Sequence, residues 1–455
     1  MSTTTRGSDI GFEGRVSPPE ARRSWWRSAP VGPWEPPMDG RTPSRARGRL
    51  GPALLLVLGI AVELPHARAQ GTVRILDDDG PADFSTLQAA LSGSGTGDIL
   101  LVKPGTYPGV PDPAFPSFFQ AAELVGKSLT VIAETPGTAV LRDGVRVADL
   151  VPGQLAVLRG FDFGTNGSLG VLVQNCQGVA WIEDCRFPAS VPVPSFPPPR
   201  VAVESSGAVH LLRCDIRGTD SFEGLAPGPA MSASGSQVAL YDCDLEAGGG
   251  FSVLFSGEPA LRQTGGLVFA SGSGFQGGDS TGPFPSSCPG PGISVAGVGA
   301  ELWTLDCTIA AGNPGLFACT PPPAVQTQLG ATWSPLAGSA RGFQVGSPAR
   351  EGFSTTLDFE GEAGDAIWLQ VGLAGGFFFD PFLHAVFELE LLPVLSLPQG
   401  TLGPGGQLSL QLGIGTLGTG VGGALVLLQP SHLTAGPELF LGGGSALVIL
   451  DANVP

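Results

Sequence analysis

Ala180-Trp-Ile182-Glu-Asp-Cys185-Arg-Phe187, Val209-His-Leu211-Leu-Arg-Cys214-Asp-Ile216, Val238-Ala-Leu240-Tyr-Asp-Cys243-Asp-Leu245 and Leu302-Trp-Thr304-Leu-Asp-Cys307-Thr-Ile309 repeat one pattern. Each reads apolar, any, apolar, two linking residues, Cys, any, apolar; Thr304 is the weak fit. The steps Cys185 to Cys214 and Cys214 to Cys243 are both 29 residues. A fixed period of that size marks a stacked solenoid. Side chains alternate along a strand, so the apolar residues and the Cys point into the coil. The cysteines then form an inward ladder of small apolar side chains.

Strand-like segments continue the repeat on both sides, around Leu101, Leu129, Leu155, Phe269 and Thr304. That predicts about eight coils. Each coil also holds an earlier strand, such as Val171-Leu-Val173 and Val201-Ala-Val203. Insertions at 188–200, 218–229, 276–292 and 310–323 all follow the Cys-bearing strand, so they crowd one flank of the rod. Gly (70) and Pro (43) recur between short apolar runs, which favours an all-β chain rich in turns.

Before the repeat comes Asp83-Phe-Ser85-Thr-Leu-Gln-Ala-Ala-Leu91, a short helix that Ser85 or Asp83 can N-cap. Leu87, Ala90 and Leu91 share one of its faces. Gly97-Asp-Ile-Leu-Leu-Val102-Lys-Pro-Gly-Thr-Tyr107 then reads as a strand running into a turn. Together these two segments resemble the N-terminal cap and first coil of right-handed parallel β-helix proteins of the pectin lyase-like class. The resemblance implies a right-handed parallel β-helix whose N-terminal helix plugs the open end. From about Gly342 the pattern changes to short strands between Gly/Pro turns, among them Thr355-Thr-Leu-Asp-Phe359 and Ala366-Ile-Trp-Leu-Gln-Val371. This predicts a small β-sandwich. It resembles C-terminal β modules of secreted, Gly/Pro-rich bacterial proteins of planctomycete type, which implies attachment or display.

The expected organisation is an N-terminal extension at 1–37, a signal peptide at 38–69, the β-helix at 70–319, a Pro/Ala/Gly/Ser-rich linker at 320–342 and the β-sandwich at 343–455. The signal peptide rests on Arg41, Arg45, Arg47 and Arg49, a mainly apolar run over 50–62, and Ala67-Arg68-Ala69 as a cleavage site. The run is too short for a bilayer-spanning helix. A secreted or envelope-associated protein without a transmembrane span after cleavage is therefore expected. Net charge is −17, and residues 1–69, which cleavage would remove, hold 10 of the 23 basic residues. Such a surface repels phosphate backbones, which argues against nucleic-acid binding. An extracellular polysaccharide or a cell-envelope component is the expected partner class. All seven cysteines lie between Cys176 and Cys319. Cys288 and Cys319, both in Pro/Gly-rich loops, are the candidate disulfide.

The residue after each Cys points outward, which aligns Arg186, Asp215, Asp244 and Thr308. Asp215 and Asp244 then stand about 5 Å apart on adjacent coils. Three readings are open: a sign-alternating structural ladder, a cation site for which calcium is the candidate metal, or the carboxylate pair of a polysaccharide lyase or glycoside hydrolase, with Arg213 as a basic partner. The residue before Cys gives Asp184, Arg213, Asp242 and Asp306, at a bend where Asp tolerates turn conformations. His210 reads as an exposed strand residue. Asp77, Asp78 and Asp79 read as a solvated turn or a calcium ligand set. Phe196, Phe222, Phe284 and Phe317, on the insertions, are candidates for lining a sugar groove. The polygalacturonase and pectinesterase motif sets are absent, so the leading expectation is a non-catalytic scaffold or binding protein, with glycans as its ligand class.

Overall fold

The computed structural model describes residues 71–108, 121–165, 169–190, 198–221, 226–250, 256–280, 288–315, 319–390, 395–436 and 438–455. These form a parallel β-solenoid of about seven turns followed by a set of mainly antiparallel sheets. The turn count is close to the eight coils that the spacing predicts.

Three strand columns make the solenoid. The first contains Ile99–Val102, Leu129–Ala133, Leu155–Arg159, Val179–Glu183, Ala208–Leu212, Glu301–Leu305 and Thr332–Leu336. The second contains Ala122–Val125, Val145–Ala148, Val171–Gln174, Val201–Glu204, Ile293–Ala296 and Val325–Gln328. Two 11-residue strands, Met231–Tyr241 and Leu261–Ser271, run through both columns. The third column is an eight-stranded sheet that includes Asp162–Phe163, Arg186–Phe187, Asp215–Arg217 and Asp244–Glu246. The pairings within all three columns are parallel and in register with the repeat.

The core follows from the alternation. Ala180, Ile182, Val209, Leu211, Val238 and Leu240 are buried inside the coil, with Cys185, Cys214 and Cys243 beside them. Phe163 and Phe187 stack in the same interior at 4.3 Å. Each fully buried aliphatic or aromatic side chain here contributes about 1.5–3 kcal/mol relative to exposure. Asp184, Arg213, Asp242 and Asp306, just before the cysteines, all have φ near +52°. They make the corner between the first and third columns in a left-handed conformation that short polar residues tolerate best.

The helix Leu87–Gly93 caps the N-terminal end and buries Leu87, Ala90 and Leu91. Its N-cap is Thr86, whose Oγ1 accepts from Ala89 N at 3.3 Å, and not Ser85 or Asp83. Asp83 instead accepts from Ile75 N at 2.8 Å, which ties the cap to the first strand.

The stretch 320–342, expected as a linker, differs from that expectation. Val325–Gln328 and Thr332–Leu336 pair in parallel with Ile293–Ala296 and Glu301–Leu305, so the solenoid continues through it. Its Pro/Ala/Gly/Ser-rich composition hides two short strands whose apolar residues are few.

Beyond residue 341 lies a three-stranded antiparallel sheet (Gly342–Val345, Ser354–Glu360, Gln407–Gly413). A six-stranded sheet faces it, centred on Gly423–Leu433, Ser445–Leu450 and Ala366–Gly372. Phe343, Val345, Leu357, Phe359, Ile367 and Leu369 pack between the two sheets as a sandwich core. The larger sheet has a second buried face. Leu425, Leu427, Ala446, Val448 and Leu450 pack on the outside of the first solenoid column, against Ile132, Val157, Trp181, Leu212, Tyr241 and Phe269. Burial on both sides explains the unbroken apolar runs Ala424-Leu-Val-Leu-Leu428 and Ala446-Leu-Val-Ile-Leu450. A hairpin of Gly375–Asp380 and Ala385–Leu389 adds Phe377 and Phe379 to the same interface.

Candidate functional site

The outward column after each Cys forms as the alternation requires. Arg186 pairs in register with Asp162 and Asp215, and Asp215 with Asp244. The charges answer one another along it. Arg186 lies 3.8 Å from Asp162 and 3.7 Å from Asp215. Arg217 lies 3.4 Å from Asp215 and 3.6 Å from Glu246. Burial raises the carboxyl pKa of Asp162, with Arg186 opposing the rise. Burial likewise raises that of Glu246, with Arg217 opposing it. Exposed pairs of this kind contribute about 0–1 kcal/mol each, so the column sets surface charge more than stability.

Arg213 stands only two residues from Asp215 but in a different environment, beneath the C-terminal sheets. Its Nε donates to Asp184 Oδ1 at 2.8 Å and its Nη1 to the Phe343 carbonyl at 2.7 Å, and Nη2 also binds Glu183. Arg159 completes the cluster, at 3.0 Å from Glu183 and 2.8 Å from Asp184. Glu183 is 0% exposed. It accepts from Trp181 Nε1 and from Ala446 N, both at 2.8 Å, and from the Ser445 hydroxyl. Burial works against the Asp184 carboxylate, but Arg213 and Arg159 outweigh it and hold its pKa below the usual carboxylate value. Asp184 and Arg213 are therefore a buried junction between solenoid and sandwich, and Arg213 is turned to Asp184, Glu183 and Phe343 where a basic partner for Asp215 and Asp244 was one of the open readings. The reason is that the larger sandwich sheet covers this corner.

His210 is also corrected: it points out of the coil, yet it is fully buried. Its Nδ1 lies 3.1 Å from Glu388 Oε1 and its Nε2 lies 2.8 Å from the Gly376 carbonyl. Trp181 and Phe377 flank the ring. Gln429 accepts from Glu388 N at 3.1 Å, so the polar groups in this pocket satisfy one another.

Cys288 and Cys319 form a disulfide with Cα atoms 5.4 Å apart. The other five cysteines are free thiols. Burial raises the pKa of Cys185 and Cys214 well above the usual thiol value, and pushes that of Cys307 up to about 11. Thiols so protonated are poor nucleophiles and poor metal ligands. Asp77, Asp78 and Asp79 cluster in an exposed turn, with ligand atoms within 4.8 Å of one another. Asp78 accepts from Thr106 N at 3.0 Å and Asp77 from Asp79 N at 3.3 Å, which are turn-closing roles. Phe196, Phe222, Phe284 and Phe317 lie outside the described residues.

A cleft of about 370 Å³ opens where the first coils meet the sandwich, a place that sequence reasoning did not single out. Thr96, Ser128, Gln154, Leu373, Gly375 and Glu390 are among its lining residues. Glu390 is the one titratable group among the described residues that line it, and these supply no second carboxylate of the kind that two-carboxylate glycoside hydrolysis pairs. The signal for it was the Gly375-Gly376 pair, which lets the hairpin run close to the solenoid: a Cβ on Gly375 would stand 3.1 Å from Val179.

The chain is thus a parallel β-solenoid protein with a sandwich packed along one face. No family model matches it, and no curated protein does. Among solved structures, it is similar to a mutant of the PL6 family alginate lyase AlyGC, at 13% identity and a TM-score of 0.22. That alignment covers 60% of this chain and 38% of the lyase chain.

Proposed function

We propose that the protein is a non-catalytic, secreted or envelope-associated scaffold that binds neutral glycans. The observation that carries the reading is the ion-paired column: Asp215 is held between Arg186 and Arg217, with Asp244 next to it in register. Carboxylates in such a ladder neutralise the neighbouring guanidiniums. Asp162 and Glu246 in the column have raised pKa values, but each faces an Arg of the ladder, whereas two-carboxylate hydrolysis needs a raised and an ionised group to converge on a bond. Export is supported by the signal-like pattern at 38–69 and by the Cys288–Cys319 disulfide, which suits an oxidising compartment.

A glycan array read alongside depolymerisation assays on uronans and neutral glycans tests this function. Binding without turnover is the expected result. Turnover that Asp215→Asn and Asp244→Asn abolish would replace this reading with that of a polysaccharide lyase or glycoside hydrolase.

A further inference from the structure

Two glutamates near the end of the hairpin have unequal surroundings. Val386 packs on the first solenoid column, and two residues later the Glu388 carboxylate reaches His210 on the same side. Alternation along the strand puts Glu390 on that side as well. Its N–H donates to the Ala374 carbonyl at 3.1 Å, so the hairpin pairing extends to it. Glu388 is fully buried and also accepts from Gly444 N. Glu390 is exposed and lines the cleft between the first coils and the sandwich. Among the described residues, its carboxylate has neither an ion pair nor a hydrogen-bond donor.

The rest of the cleft leaves that charge unmatched. Lys127 precedes Ser128, but its Nζ donates to the Ser94 carbonyl at 2.8 Å and the Ser92 carbonyl at 3.4 Å, at the end of the capping helix. The polar lining residues are otherwise neutral. Ser128 Oγ accepts from Leu155 N at 3.1 Å, which leaves its own proton to donate. Thr96 is exposed beside it in the lining. Gln154 is engaged in its own turn, accepting from Val151 N at 2.9 Å and donating to the Gly126 carbonyl at 2.8 Å. Leu155 and Leu425 give the cleft an apolar wall that continues the solenoid–sandwich interface. Its volume of about 370 Å³ lies at the small end of the ~300–1,000 Å³ typical of ligand pockets.

We infer that this cleft is a binding site for a small amino sugar, with the protonated amine on Glu390 and the ring hydroxyls on Ser128 and Thr96. Charge selects the amine. A lone carboxylate on a chain of net charge −17 repels uronates and phosphates and attracts cations. An ammonium–carboxylate hydrogen bond is roughly twice as strong as a neutral one. A calcium ion fits poorly, because it takes about 6–8 oxygen ligands and this lining pairs one carboxylate with leucines. A sugar ring, with hydroxyls at its rim and C–H groups on its faces, matches hydroxyls set beside an apolar wall. The sugar part draws on the glycan-binding reading; the ammonium part stands on Glu390 and is separate from the third column.

Titrations of the full chain with glucosamine, N-acetylglucosamine, glucose and cyclohexylamine, followed by ligand-observed NMR, test the inference. N-acetylation removes the charge and keeps the ring, while cyclohexylamine keeps the charge and drops the hydroxyls. Glucosamine should bind about tenfold or more tightly than each of the other three. Added salt should weaken its binding. Glu390→Gln should remove its advantage over glucose while leaving the unfolding midpoint in place, since the side chain has no partner to lose. Equal affinity for the three sugars overturns the inference and leaves the glycan-binding reading standing. A glucosamine preference that survives Glu390→Gln overturns it too, because the preference would then come from the overall charge. Cyclohexylamine binding as tightly as glucosamine overturns the sugar assignment. A glycan array without polymer binding, beside a Glu390-dependent preference for glucosamine, would remove the proposed scaffold function and keep this site.

Discussion

Replacing Glu183 with alanine should be among the most damaging single substitutions in the molecule. The carboxylate is fully buried and takes hydrogen bonds from Trp181 Nε1, Ala446 N and Ser445 Oγ while facing Arg159 and Arg213. Without it, both guanidiniums share Asp184 alone, and the indole and the Ala446 amide lose their acceptor. Breaking one side of a buried ion pair costs about 3–5 kcal/mol. Each buried donor left unpaired costs about 1–3 kcal/mol. Because Asp184 still compensates part of the charge, the two penalties overlap, and a total of about 3–5 kcal/mol is expected. Urea unfolding followed by tryptophan fluorescence reads this directly, since the Trp181 indole sits in the interface. The midpoint should fall with the slope kept if solenoid and sandwich unfold together. A separate early transition of shallow slope would mean that the sandwich lifts off first. Glu183→Gln keeps an acceptor and should cost less than the alanine. A loss below about 1 kcal/mol for Glu183→Ala, the range of a surface pair, would refute the reading of this cluster as a buried junction.

Other expectations follow from the same contrasts. Asp215→Asn should change stability by no more than about 0.5 kcal/mol in the same urea assay, because its partners are exposed. His432 is fully buried; burial and the nearby Arg341 lower its pKa from 6.5 to about 3. The unfolded chain therefore takes up a proton that the folded chain refuses, and stability should fall as pH drops from about 6.5 towards 3. Unfolding measured across that window should show a shallower pH dependence in His432→Leu. Cys185, Cys214 and Cys243 should resist a thiol-specific reagent in the folded protein and react on unfolding; rapid labelling under native conditions would contradict their inward placement. Reducing the Cys288–Cys319 bond, which spans 31 residues, should lower stability by about 3–4 kcal/mol in the loop-entropy account.

Much of the solenoid was legible because stacking imposes a period. Cys185, Cys214 and Cys243 recur at one step, and inward residues alternate with outward ones. The Asp and Arg residues before each Cys were readable as bends, and their φ values agree. What the alternation cannot say is whether an outward residue meets water or a second sheet. His210 and Arg213 look like surface residues in a pattern that records only in or out of the coil. A signal was nevertheless present. The unconstrained position of the repeat holds Trp181 and Trp303, and Phe269 stands in the same column. Bulky apolar residues at an outward position, matched by the doubly apolar strands near Leu425 and Val448, imply a covered face. The strands at Val325–Gln328 and Thr332–Leu336 were missed because their few apolar residues give little period to detect.

Covering one face redistributes where chemistry can occur. The residues on either side of Cys185 and Cys214 have opposite fates: Asp184 and Arg213 are sealed under the sandwich, while Arg186 and Asp215 reach solvent on the third column. Sealing is energetically consistent only if the sandwich stays in place. Lifting it would expose Trp181, Tyr241, Phe269 and several leucines while leaving Glu183, His210 and Glu388 without their partners. The first column is therefore unavailable to an extended polymer. On the proposed glycan-binding reading, the surfaces left open to a ligand include the second and third columns, the cleft beside Glu390 and the loops that leave the Cys strands. The third column carries in-register charges on successive coils, Asp162, Arg186, Asp215 and Asp244, and a repeating surface is what a repeating polymer can follow. Binding that grows with glycan length and is lost when Arg186 and Arg217 are both replaced by Gln would place the ligand there. Binding that is saturated by a mono- or disaccharide and survives those changes would place it in the cleft.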